Sequence, residues 1–138
     1  MTRQRVPVSM RWSDQDPFQH VNNAAFLTYL EQARVEIFFS EAETEGVTTL
    51  SDGVVVVRHE IDYKRPVIYS ARPLVIECWI SQLRAASYRV DYRVYDGETL
   101  AVTANSLLAT YDIEAARPRR ILPDERAYLE RFLDTCDQ

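Results

Sequence analysis

The sequence predicts an α+β domain in which an antiparallel sheet wraps around one long central helix. One strand-like segment comes first, a long apolar helical segment follows, and four or so strand-like segments complete the chain. Short turns join those later strands. Because parallel strands need long crossover connections, short turns indicate antiparallel pairing.

The first strand is predicted over residues 5–12, where apolar and polar side chains alternate as in a half-buried strand. Its apolar side would consist of Val6, Val8, Met10 and Trp12. Residues 13–22 are polar and interrupt this pattern. A helix is then expected from residue 23 to about residue 44, with Asn22 as a plausible N-cap and Gly46 as its end.

The second half of the chain has the two-residue period of strands. Residues 54–64 place Val55, Val57, His59, Ile61 and Tyr63 on one apolar side. Further strands are expected over residues 74–83, 87–96 and 100–113, with a hairpin turn at Asp96-Gly97. A short terminal helix should open at Pro123 and dock through Tyr128, Leu129, Phe132 and Leu133.

Composition excludes several classes of protein. The 138 residues carry a net charge of -5, and their scattered basic residues form no stripe for nucleic acid. With only three glycines, which lie far apart, the chain cannot form a Gly-rich phosphate-binding loop. No apolar run is long enough to span a membrane. We therefore expect a single cytoplasmic domain over residues 1–138 that contacts neither nucleic acid nor membrane.

Cysteine spacing and sheet topology give two further expectations. Cys78 and Cys136 lie in unrelated contexts, which predicts free thiols and no metal site. A sheet with open edges and one covering helix is expected to associate into at least a homodimer.

The densest polar cluster is the segment 14–23, between the first strand and the long helix. A helix N-terminus offers backbone N–H groups without intrahelical partners, and these can hold an oxygen that becomes negative. Asp16 lies just upstream and supplies a carboxylate. A base or nucleophile beside oxyanion donors is the combination that acyl transfer requires.

These residues resemble the 4-hydroxybenzoyl-CoA thioesterase family of hot-dog-fold acyl-CoA thioesterases. The similarity lies in three segments, which read RWSDQD at 11–16, HVNN at 20–23 and EQAR at 31–34. It continues through HEIDY at 59–63, RPV at 65–67 and the strand at 87–96. The resemblance implies a hot-dog fold, an acyl-CoA substrate, hydrolysis of its thioester, and a homodimer or homotetramer with sites between subunits. It implies no metal or redox cofactor.

By this resemblance Asp16 matches the catalytic aspartate, and the backbone N–H near Asn23 matches the donor that polarises the thioester carbonyl. His20 and Asn22 match the family's His-Val-Asn-Asn turn, and Ser87 resembles a position lining the pantetheine channel. The family usually has glycine immediately before the histidine, where this chain has Gln19.

Other side chains are candidates for contacts with the two ends of the substrate. The coenzyme A phosphates could meet Arg58, Lys64, Arg65 or Arg84, because basic side chains pair with phosphate. An acyl pocket could include Phe18, Phe26, Tyr29 and Tyr63.

Each of these residues also has a structural interpretation. Asp14 and Asp16 are ordinary turn residues, His20 could only bond loop backbone, and Asn22 could serve as a helix cap. His59 fits a satisfied buried histidine better than a site residue. At the level of function, the alternatives to hydrolysis are a non-hydrolytic binder of acyl-CoA or a lipid thioester, with Gln19 marking a lapsed site, and a structural subunit.

Overall fold

The computed structural model describes residues 2–135. Its strands are β1 (Gln4–Val8), β2 (Val54–Tyr63), β3 (Leu74–Leu83), β4 (Ser87–Asp96), β5 (Thr99–Asp112) and β6 (Arg117–Pro118). Five of them form an antiparallel sheet in the order β1-β3-β4-β5-β2, and the short β6 pairs with the end of β5. The sheet curls around one long helical segment, which confirms the predicted α+β architecture.

The helical segment consists of α1 (Ala25–Arg34), a π-helical stretch (Val35–Ser40) and α2 (Glu41–Thr44). It begins two residues later than predicted. Its N-cap position is Ala24 and not the predicted Asn22, whose Oδ1 accepts the Ala24 N–H at 2.8 Å in the turn that leads into the helix. Gly46 follows the segment with a φ of +87°, a left-handed conformation that suits glycine and ends the helix as expected.

The structure departs from the predicted strands in two places. β1 ends at Val8, and a 3-10 turn over Trp12–Asp14 leaves Trp12 74% exposed. In β2 the pairing with β5 shifts between Val56 and Arg58. Before this bulge Val54 and Val56 line a pocket with the helical segment, although Val56 is 43% exposed, and Val55 and Val57 alternate to the other side, so the predicted phase is wrong for its first half.

The helix does not cover the sheet evenly. α1 packs mainly on β1 and β3, and β2, at the opposite edge, stays half-covered or exposed along its length. A row of hydrogen bonds crosses the sheet beneath the helix, from Arg34 through Tyr92 and Ser106 to His59 on β2. His59 is thus the satisfied histidine that the sequence favoured. Burial and the Arg34 cation lower its pKa, against the raising effect of Glu31.

The terminal helix α3 (Pro123–Glu130) begins at the predicted proline and buries Tyr128 and Leu129. Just beyond its end Phe132 is buried and Leu133 is partly buried against the core. Cys78 is a buried free cysteine, and Cys136 lies outside the described residues.

Glu125 anchors α3 as a fully buried carboxylate. It accepts two hydrogen bonds of 2.8 Å from Arg119, one from Thr49 and one from the Leu122 N–H. Burial alone would raise the pKa of Glu125, but these hydrogen bonds outweigh burial and lower it. The carboxylate therefore stabilises the fold above its unfolded pKa, and this stabilisation is lost as pH falls through the lower folded pKa.

We predict that Glu125→Gln lowers the free energy of unfolding by about 3 kcal/mol at pH 7, because it leaves Arg119 without a counter-charge. The difference from the native chain should shrink below about pH 4.5, where the unfolded carboxyl is protonated. Chemical denaturation at several pH values measures it. Glu130→Gln, on an exposed position of the same helix, is the control. A pH-independent difference would contradict the role of the Glu125 charge.

Candidate active site

The segment between the 3-10 turn and α1 folds back on itself as a tight hairpin. The Asp14 carbonyl accepts the Asn22 N–H at 2.8 Å, and the His20 carbonyl accepts the Asp16 N–H at 2.9 Å. The Gln19 N–H closes the tip on the Asp16 carbonyl at 3.0 Å. These bonds place residue 16 directly beside the chain that enters the helix.

Gln19 occupies the tip of this hairpin with a φ of +66°. This left-handed conformation is costly for residues that carry a Cβ and costs glycine nothing. In the 4-hydroxybenzoyl-CoA thioesterase family, which the sequence resembles, this position is usually glycine. A left-handed backbone here would account for that glycine, and in this chain Gln19 adopts the strained conformation.

Asp14 joins the hairpin to the helix through its side chain. Its carboxylate is buried, accepts the Tyr29 hydroxyl at 2.6 Å, and also accepts the backbone and guanidinium N–H groups of Arg11. Burial would raise the pKa of Asp14, but the bonds from Tyr29 and Arg11 outweigh it and lower the pKa. Asp14 is therefore a structural anchor whose charged form these hydrogen bonds favour.

Asp16, two residues further on, has a different environment. It is half-buried, and its Oδ1 accepts the Phe18 N–H at 3.0 Å. Within residues 2–135 no hydrogen bond engages its other oxygen, Oδ2. One carboxylate oxygen is thus held in place, and the second is left for chemistry.

Asn23 lies at the open end of the helix. The carbonyl of Asn22 accepts the Ala25 N–H, and its side chain takes the Ala24 N–H, but the Asn23 N–H has no partner among the described residues. Such an N–H, at the positive end of the helix dipole, suits an oxygen that gains negative charge. Tyr63 donates its hydroxyl to the carbonyl of the following peptide, that of Asn23, at 2.9 Å.

Asp16 and Asn23 line the same open cleft, which has a volume of about 350 Å³. One wall is apolar and includes Phe26 and Val67, and Lys64 and Arg65 lie on the rim. Tyr63 packs edge-on against Phe26, with ring centroids 5.8 Å apart. The cleft therefore joins a carboxylate, an unpartnered donor, an apolar surface and two cations.

Only some of the predicted site residues meet at this cleft. His20 lines it, and the Asn22 side chain bonds the Ala24 N–H in the turn before the helix. Phe18 lies at the hairpin tip, 78% exposed and away from the cleft lining. Tyr29 is buried on Asp14.

The remaining cationic and polar candidates lie at different places along β2, and only two of them reach the cleft. Lys64 and Arg65 reach the rim, while Arg58 lies on the strand itself and pairs with Glu60 at 2.7 Å. Ser87 pairs with Ala109, which in turn pairs with Val55 at the far end of β2 from Tyr63. That end is about 26 Å away at 3.3 Å per residue, and Arg84 lies in the turn before Ser87.

Tyr63 is the contact that the sequence did not reveal. Its place in an apolar alternation indicated only a hydrophobic surface, and nothing in the sequence showed its bond to Asn23. Burial raises the pKa of Tyr63, so the phenol stays protonated and keeps donating at neutral pH.

Residues 2–135 hold neither a metal-ligand cluster nor a membrane-spanning helix. Nowhere in that range do three His, Cys, Asp or Glu side chains come together as metal ligands. No helix there has the length and apolarity to cross a bilayer.

A curled antiparallel sheet around one helix, with a carboxylate hairpin at the helix start, defines a hot-dog protein of the thioesterase type. Residues 10–129 match the thioesterase-like superfamily, and the chain belongs to that superfamily. This membership confirms the resemblance that the sequence motifs indicated.

Individual relatives agree with this assignment. A long-chain acyl-CoA thioesterase, FadM of Escherichia coli K12, is 34% identical over 83 residues, which are 60% of this chain and 62% of that protein. A thioesterase from Thermus thermophilus, complexed with coenzyme A and zinc, is 28% identical, with a TM-score of 0.75 over 93% of this chain and 92% of that one. A predicted thioesterase from Bacillus stearothermophilus shares the fold, with a TM-score of 0.83 at 20% identity over 96% and 97% of the two chains.

The strain at the hairpin tip yields a prediction. Gln19→Gly should raise the free energy of unfolding by about 0.5–1 kcal/mol, because relief of the left-handed strain exceeds the added freedom of the unfolded chain. Thermal unfolding of the purified protein measures it.

Gln15→Gly is the matched control, because Gln15 has an extended backbone with a φ of -76°. That change should destabilise the protein. Equal effects of the two substitutions would show that the backbone at residue 19 carries no strain.

Proposed function

We propose that this protein hydrolyses an acyl-CoA thioester to the free acid and coenzyme A. The observation that carries the proposal is the shared cleft, in which the Asp16 carboxylate stands with the unpartnered Asn23 N–H at the start of α1. Membership of the thioesterase-like superfamily and the likeness to a long-chain acyl-CoA thioesterase support the reaction class and the substrate class.

In this reaction the thioester carbonyl oxygen accepts the Asn23 N–H. As the carbonyl carbon is attacked, negative charge develops on that oxygen, and the N–H and the helix dipole stabilise it. The peptide that carries this N–H is held by its own carbonyl, that of Asn22, which accepts the Ala25 N–H at 3.0 Å, and Tyr63 holds the next carbonyl, that of Asn23. Because this donor is fixed before the substrate arrives, little reorganisation is needed in the transition state.

Asp16 acts on the carbonyl carbon by one of two routes. As a nucleophile, Oδ2 bonds to the carbon, the C–S bond breaks with loss of the coenzyme A thiolate, and water then hydrolyses the mixed anhydride. As a general base, Oδ2 takes a proton from water while the water oxygen attacks the carbon; the tetrahedral intermediate then collapses, the C–S bond breaks, and the coenzyme A sulfur leaves with that proton as the thiol. Both routes use the oxygen that the hairpin leaves without a hydrogen bond.

Lys64 and Arg65 on the cleft rim are placed to meet the phosphates of coenzyme A. Arg58, Arg84 and Ser87 do not reach this cleft within one chain. A second copy that pairs antiparallel along the open β2 edge would bring the Val55 end of its own β2 beside Tyr63, with its Ser87 and Arg84 on the same side of the site, two strands further from the shared edge. The exposed Val55 and Val57 and the unpaired edge of β2 support such a homodimer with sites between subunits.

We expect Asp16→Asn to reduce kcat at least 100-fold, with a much smaller change in KM, since the amide can neither attack nor accept a proton. Thiol release from aromatic, short-chain and long-chain acyl-CoA esters measures it.

Asp124→Asn, an exposed aspartate on α3, serves as the control and should leave turnover unchanged. Undiminished hydrolysis by Asp16→Asn would overturn the assignment of Asp16. Tight binding of every ester without turnover by the native chain would favour the acyl-CoA binder over the hydrolase.

A further inference from the structure

The hairpin that carries Asp16 borders two open regions of the surface. One is the cleft that Asp16 shares with Asn23. The other is a groove of about 490 Å³, which we call the hairpin groove and which is lined by Trp12, Ser13, Gln15, Asp16 and Gln19. Within residues 2–135, Asp16 is the one residue that lines both regions. A small molecule in the hairpin groove can therefore approach Asp16 from a side that an ester in the cleft does not occupy.

The hairpin groove is polar and open to solvent. Four of its five lining residues carry polar side chains, and the fifth, Trp12, is 74% exposed. Ser13 and Gln19 are also exposed. Such walls suit water better than an acyl chain. Since hydrolysis requires water as its second reactant, the groove offers a route for water to the carboxylate.

Gln19 has the side chain of this groove that is free to bind water. The Gln15 amide donates to the Trp12 carbonyl at 3.2 Å, whereas the Gln19 amide forms no hydrogen bond within the described residues. The backbone holds Gln19 next to Asp16, because the Gln19 N–H donates to the Asp16 carbonyl at 3.0 Å. The oxygen of a free amide can accept a hydrogen bond from water.

The backbone conformation of Gln19 supports a function for its side chain. Gln19 has the left-handed conformation that glycine would adopt without cost. Residues with strained backbones cluster at active sites, where the strain accompanies a functional role. A glutamine that lowers stability beside the candidate catalytic carboxylate therefore indicates that its amide is used.

We propose that Gln19 is a positioning residue that, together with Asp16, orients the hydrolytic water in the hairpin groove. This rests on the proposed function and selects the general-base route within it. Asp16 Oδ2 accepts one hydrogen of the water and Gln19 Oε1 accepts the other, so that a lone pair of the water oxygen faces the carbonyl carbon.

The chemical step then follows from this arrangement. As the water oxygen bonds to the carbonyl carbon, Asp16 Oδ2 takes the proton that faces it. The tetrahedral intermediate collapses, the C–S bond breaks, and the coenzyme A sulfur leaves with that proton as the thiol. Gln19 takes up no proton and acts only by fixing the direction of the water.

The test measures the single-turnover rate constant and KM for Gln19→Met and Gln19→Gly, on the acyl-CoA ester that the native chain hydrolyses fastest. Methionine keeps the length of the side chain and removes the amide. Both variants should lose about tenfold in rate, as the loss of one hydrogen bond to water predicts. KM should stay unchanged because residue 19 does not contact the ester. Gln19→Gly should be slower although it is more stable, which a purely structural role would not produce.

Gln82→Met is the matched control, because Gln82 lies on β3 and lines neither the cleft nor the hairpin groove. It should leave the rate unchanged. A second measurement follows a single turnover of the native protein in ¹⁸O-labelled water. The label should enter the acid and not the Asp16 carboxylate, because a general base forms no bond to the acyl carbon. An undiminished rate in Gln19→Met, or label in Asp16, would overturn the proposal.

Failure of this inference differs from failure of the proposed function. Hydrolysis that depends on Asp16 but not on Gln19 would refute the positioning role and retain the hydrolase. A native chain that releases no thiol from aromatic, short-chain or long-chain esters would refute both.

Discussion

The candidate site depends on the burial of one carboxylate that takes no part in the chemistry. Asp14 joins the hairpin to the helix twice, through its side chain to Tyr29 and through its carbonyl to the Asn22 N–H. A buried charge is tolerated only when it is fully hydrogen-bonded, so this arrangement leaves the chain little freedom. Asp16, two residues later, is thereby held beside the helix start. A rigid anchor next to a reactive group is how proteins fix catalytic geometry to within fractions of an ångström.

The uneven position of the helix over the sheet has a complementary consequence. Because α1 packs on β1 and β3, the β2 side of the concave face remains accessible. Beneath that side a continuous chain of hydrogen bonds joins Arg34, Tyr92, Ser106 and His59. Because each of these polar groups has a partner, the half-open edge can contain them without a large desolvation cost. The same side of the sheet carries the cleft at its Tyr63 end.

Much of the fold could be predicted from the sequence because local signals and burial agreed. Gly97 is typical of a hairpin turn and Pro123 of a helix start. The regular alternation of apolar and polar residues in β4 indicated which of its side chains face the core. The valine run at 54–57 has no alternation, so the bulge in β2 could not be seen. Trp12 continued an apolar pattern past the point where the 3-10 turn rotates it into solvent. At the site, composition alone could not tell which of Asp14 and Asp16 is the candidate catalytic residue. The family motif pointed to Asp16. The structure gives the physical difference, because Asp14 is buried and Asp16 is half-buried. The Tyr63 contact with Asn23 joins residues 40 positions apart and has no local signature.

The central claim is that the Asn23 N–H and the Asp16 carboxylate face one carbonyl group. A crystal structure with an acyl-CoA analogue in which a methylene replaces the thioester sulfur, leaving an unreactive ketone, tests it most directly. We expect the ketone oxygen about 2.9 Å from the Asn23 nitrogen and Asp16 Oδ2 on the open face of the carbonyl carbon, in contact or one water away. A ketone bound elsewhere, or one whose oxygen points away from the start of α1, would contradict it.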